Sequence, residues 1–79
     1  MKMPIAFVLI NAEAGLQDEV IQELSAIDEV KNAYFVHGAF DIVAKIEALT
    51  SEKLKDTIAW KVRNIERISS TQTLLITSG

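Results

Sequence analysis

VHGAFDIVAKIEA, residues 36–48, sets a lone glycine, an aromatic and a carboxylate between two runs of strand-forming residues. A purely structural hairpin is satisfied by Asn-Gly or Asp-Gly at its tip. Here Asp41 comes three residues after Gly38, already inside the next apolar run. From Phe40 onward, Ile42, Ala44, Ile46 and Ala48 are apolar, while Asp41, Val43, Lys45 and Glu47 are mixed. Alternation at period two marks a strand with one buried face. Residues 40–48 are therefore predicted as a strand, Gly38 as the turn before it, and residues 30–37 as the strand that enters the turn.

Toward the N-terminus, residues 4–10 form a continuous apolar run in which both alternating sets are apolar. That is the pattern of a strand covered on both faces, and Pro4 suits its first position. Residues 11–15 read as a loop. Over residues 16–27, Leu16, Val20, Leu24 and Ile27 recur at helical spacing, and Asp18 and Glu19 sit where an early-turn carboxylate complements the helix dipole. Beyond the hairpin, Thr50 or Ser51 caps a second helix whose buried stripe is Leu54, Ile58, Val62 and Ile65. Trp60 falls nearly opposite that stripe, where it is expected to be exposed and available to a partner. Residues 67–78 form the last strand.

The order strand, helix, strand, strand, helix, strand is the ferredoxin-like βαββαβ arrangement of the α+β class: a four-stranded antiparallel sheet with two helices on one face. Right-handed crossovers place both helices together and the first and third strands in the middle. The helices cover one face only. The second apolar set of the first strand then needs another cover, for which a second copy's sheet is the simplest candidate.

Composition supports association. The chain has 79 residues, read as one domain spanning 1–79, with 49% hydrophobic content and no cysteine. A domain this small buries a modest fraction of its surface, and neither a disulfide nor a thiolate metal site is open to it. The net charge of −3 argues against direct nucleic-acid binding. The longest apolar run is too short for a membrane span, and the N-terminus resembles a signal peptide only faintly, so a cytoplasmic location is expected. His37 is the only histidine and has no partner at metal-ligand spacing. With only three glycines and no phosphate-binding loop, neither a metal site, a cofactor nor catalysis is expected.

Two sets of residues carry candidate chemistry. Asp41 either accepts backbone N–H bonds of the Gly38 turn or binds an ammonium group at a subunit boundary. Thr71 and Thr73, in the run Ser69 to Thr73, share one strand face, either as part of a polar edge strand or as paired hydroxyls beside a ligand.

With these residues in view, the chain resembles the C-terminal effector domain of the Lrp/AsnC regulators, also called the RAM domain. HGAFDIVAKIEA matches the family's Gly, any residue, aromatic, Asp followed by an apolar strand, and Thr71-Gln72-Thr73 matches its closing Thr-any-Thr. The likeness is to a stand-alone form without the helix-turn-helix domain. One departure is Glu66-Arg67, where the family often has a glycine before the final strand. The resemblance implies homodimers with sheets packed face to face, assembled further, often as four dimers. It implies a free amino acid bound in clefts between dimers, held by the backbone at Gly38, Ala39 and Phe40, with Asp41 taking the ammonium and Thr71 and Thr73 as hydroxyl partners. It also implies a role modulating transcription, with full-length Lrp/AsnC-type regulators as partners.

Two other readings stand beside it. An ACT-like regulatory domain shares the strand–helix order, and residues 11–16 (NAEAGL) resemble its loop, so its ligand would lie at Gly15. A small dimeric α+β-barrel enzyme would hold an active site inside each subunit, with His37 as its acid–base group.

Overall fold

The computed structural model describes residues 3–76. Its elements are β1 (Ile5–Ala12), α1 (Gln17–Ser25), β2 (Val30–Phe35), β3 (Ile42–Glu47), α2 (Ser51–Asp56), a π-helical continuation of α2 (Thr57–Val62), and β4 (Ile68–Leu75). The strands form one antiparallel sheet in the order β2-β3-β1-β4. The βαββαβ arrangement and the central placement of β1 and β3 are as the sequence predicts.

The double-sided character of β1 follows from this position. Ala6, Val8, Ile10 and Ala12 are buried beneath the helices with Ile42, Ala44 and Ile46 of β3. Val20 and Leu24 of α1, and Leu54, Ile58, Val62 and Ile65 from the second helical region, close the same core. Each fully buried aliphatic side chain contributes roughly 1.5–3 kcal/mol. On the other face, Ile5, Phe7 and Leu9 are only half-buried. In register, Leu9 lies between Val43 and Gln72, Phe7 lies between Lys45 and Leu74, and Tyr34 lies across from Val43. The sheet thus carries a contiguous apolar area on its open side.

Several boundaries differ from expectation. β1 runs on through Asn11 and Ala12, which the sequence assigns to a loop, because β4 continues the ladder beyond the last β3 pair at Ile10. A β-bulge against β4 follows, where Asn11 pairs with Ser70 but Ala12 pairs with Ile68, leaving Ser69 as the extra residue. β2 stops at Phe35 and β3 starts at Ile42, so the hairpin tip is a longer loop than the single-glycine turn expected. α1 is shorter than residues 16–27, and β4 is shorter than residues 67–78, of which 77 and 78 lie outside the described residues.

In α2, Thr50 and not Ser51 is the cap, and its Oγ1 accepts the Lys53 N–H at 3.0 Å. The helix then widens: the Arg63 N–H donates to the Ile58 carbonyl at 3.1 Å, and the Asn64 side-chain amide donates to the Trp60 carbonyl at 2.6 Å. The predicted apolar stripe is buried despite the wider turn, and Trp60 is 69% exposed.

Candidate functional site

The loop joining β2 to β3 is tied down from both ends. The Val36 N–H donates to the Asp41 carbonyl at 2.8 Å, closing the loop on itself. The Asp41 N–H donates to the Ile10 carbonyl at 3.0 Å, so the loop continues the β1–β3 ladder. Gly38 sits within it at φ +140°, a conformation that a side chain would strain although nothing lies within 4 Å of a Cβ there.

The end of β1 acts as a platform for this loop. Asn11 Nδ2 donates to the Ala39 carbonyl at 3.1 Å and to Ser70 Oγ at 3.3 Å. The bulged Ser69 Oγ donates to the Asn11 carbonyl at 3.0 Å. One side chain of β1 therefore links the loop to β4. Sequence reading missed Asn11, Ser69 and Ser70 as parts of this cluster. Their proximity comes from the β1–β4 register, for which no local motif exists.

Asp41 belongs to the same cluster. Its Oδ2 accepts the Ala12 N–H at 3.2 Å. The structural alternative raised from sequence, bonding to N–H groups of the Gly38 turn, thus gives way to a bond with the end of β1. Among the described residues no donor reaches Oδ1. A carboxylate with one oxygen anchored and one open can accept a further donor without being re-aimed.

The structure brings Gly38, Ala39, Phe40 and Asp41 together, with Gly38 and Ala39 exposed and Phe40 and Asp41 half-buried. It places Thr71 and Thr73 differently. They pair with Ile10 and Val8, whose side chains are buried on the helix-covered face, and Thr73 Oγ1 is buried without a partner among the described residues. Ser70, paired with Asn11, is the hydroxyl of β4 that stands beside the loop.

An open depression of about 350 Å³ adjoins the loop, lined by Gln17, Asp18, Phe35, Val36, His37 and Asp41. A larger one, about 460 Å³, lies at the opposite end of the sheet around Met3, Glu29, Leu49 and Lys53. One of its carboxylates is paired internally. Glu29 accepts from Lys61 Nζ at 3.1 Å and has Lys53 Nζ at 3.9 Å. The Lys61 hydrogen bond, aided by the two ammonium charges and opposed by burial, holds the Glu29 carboxyl below its ordinary value. Gly15, where an ACT-like ligand would sit, occupies a turn at φ +81° with no atom within 4 Å of a Cβ. Among the described residues no group of three or more His, Cys, Asp or Glu side chains is placed to hold a metal ion.

Comparison with known proteins extends these observations. The family described as the Lrp/AsnC ligand binding domain is matched over residues 5–79. An HTH-type transcriptional regulator of Pyrococcus abyssi is 34% identical over 94% of this chain, and the regulatory protein AsnC of Haemophilus influenzae is 36% identical over 73% of it. The chain spans about half the length of the first relative or less, 47% and 39% respectively. Among solved structures, FFRP-DM1 superposes with a TM-score of 0.89 at 38% identity, covering 94% of this chain and 99% of the other. Escherichia coli AsnC superposes at 0.88 with 26% identity, covering 96% of this chain and 52% of the other.

Proposed function

Because this chain belongs to the Lrp/AsnC ligand-binding-domain family, we propose that it is a non-catalytic module that senses a free amino acid and passes occupancy on through assembly. The observation that carries this function is Asp41: its Oδ2 is fixed by Ala12, while among the described residues no donor reaches Oδ1, beside a loop whose Gly38 and Ala39 are exposed. A free amino acid is a zwitterion and needs an anion for one end and N–H or O–H donors for the other. Asp41 supplies the anion. The backbone at Gly38, Ala39 and Phe40 and the Ser70 hydroxyl supply the second kind of group.

Assembly rests on the open face of the sheet. Ile5, Phe7, Leu9, Val43, Tyr34 and Leu74 form an apolar area that a second copy's sheet would cover, giving a homodimer that associates further, as an octamer of four dimers. A ligand touching two dimers at the loop favours the assembled state, by roughly 2.7 kcal/mol per site at one hundred times its dissociation constant. Such a module acts in the cytoplasm and modulates transcription through full-length Lrp/AsnC-type regulators that share its dimer surface. No helix among the described residues is long and apolar enough to cross a membrane.

Titration of the twenty amino acids by calorimetry against wild type and Asp41→Ala tests the site. Binding by wild type that is lost in the variant supports it. Equal affinity in both removes Asp41 from the site.

A further inference from the structure

The depression beside the loop has a one-sided electrostatic character. Two of its six lining residues are carboxylates, Asp18 and Asp41, and none is Lys or Arg. Gln17 and His37 add polar groups, while Phe35 and Val36 give an apolar wall in which Phe35 is 57% exposed. Arg67, which reaches α1 from the start of the last strand, is engaged by Glu19, its Nε donating to Oε2 at 2.8 Å. No basic residue occurs anywhere from Ala12 to Val30. A volume of about 350 Å³ lies at the low end of small-ligand clefts, enough for one amino acid and not for a peptide.

We infer that the module prefers amino acids with a cationic side chain, the lysine and arginine class, over neutral or acidic ones. Resting on the sensing function proposed above, this assignment divides the two carboxylates between the two positive groups of one ligand. Asp41, anchored by Ala12, takes the α-ammonium, and Asp18, at the start of α1, takes the side-chain cation. The methylene chain lies along Phe35 and Val36, where an aromatic ring also attracts a cation. A neutral side chain of equal length gains the apolar contact and forgoes the charge. A glutamate side chain meets two like charges.

The test compares lysine, its neutral analogue norleucine, and glutamate by calorimetry at low ionic strength. Each is titrated into wild type, Asp18→Asn and Asp41→Ala, with circular dichroism melts showing that each variant is folded. Since a half-exposed ion pair is weak, lysine is expected to bind about three- to tenfold more tightly than norleucine, with glutamate weakest. In Asp18→Asn the lysine preference falls below about twofold while norleucine affinity is retained. In Asp41→Ala binding of both is lost. Equal binding of lysine and norleucine by wild type, or a preference that Asp18→Asn leaves unchanged, overturns the cationic assignment. If Asp41→Ala still abolishes that binding, sensing stands without it. Absence of binding by all three ligands overturns the assignment, and sensing falls with it only where the titration of the twenty amino acids is also blank.

Discussion

Replacing Leu9 by lysine separates the two faces of the sheet. Leu9 is half-buried on the open side, centred between Val43 and Gln72, whereas its neighbours Val8 and Ile10 are fully buried beneath the helices. The substitution therefore leaves the monomer core intact and puts a charge in the middle of the proposed dimer interface. Covering a leucine fully is worth roughly 1.5–3 kcal/mol relative to leaving it wet, so half of that is still to be gained on association. A two-fold axis counts the loss twice, about 1.5–3 kcal/mol per dimer. Two ammonium groups enclosed close together add several kcal/mol more, although their long stems relieve part of this by reaching for solvent. A total near 4 kcal/mol raises the dimer dissociation constant about a thousandfold. Sedimentation equilibrium across nanomolar to micromolar concentrations measures it. Leu9→Lys should sediment as a folded monomer where wild type is a dimer or a larger assembly of dimers, with an unchanged far-ultraviolet spectrum. Dimerisation of the variant at the wild-type midpoint would refute the open-face interface.

Two further perturbations address the monomer. Glu29→Gln should alter the acid limb of the stability curve. A carboxyl held below its ordinary value of 4.5 by Lys61 contributes stability above the unfolded value and loses it as pH falls through the lower folded one. Urea midpoints of wild type should therefore fall on acidification through this window while those of the variant change less, the two curves converging at the acid end. Thr50→Ala removes the oxygen that accepts the Lys53 N–H, so thermal melts should show a loss of about 0.5–2 kcal/mol, and Thr50→Ser should restore most of it.

The open and covered faces show how much of this architecture is local. Alternation along residues 40–48 and helical spacing at Leu54, Ile58, Val62 and Ile65 were readable because burial imposes a period of two on strands and near 3.6 on helices. The π-helical widening at Thr57–Val62 was not, since no glycine or proline stands in the segment and the carbonyl of Trp60 is satisfied by a side chain beyond it. Asp41 was singled out because a carboxylate in an apolar run needs a donor. Which donor it has, the Ala12 N–H, depends on how the end of β1 lies against the loop.

Local chemistry in the chain determined its elements, their order and the two-sided greasiness of β1, because propensity and hydrophobic period act over a few neighbouring residues. Register belongs to tertiary structure alone. A slip of one residue between β1 and β4 would send Thr71 and Thr73 to the open face and carry Ser70 away from Asn11. The sheet ladder, made by residues 59 positions apart at Asn11 and Ser70, chose between those arrangements. It did so because this register packs Ile68 of β4 against the core and sets Ser70 beside the Asn11 side chain that holds the loop.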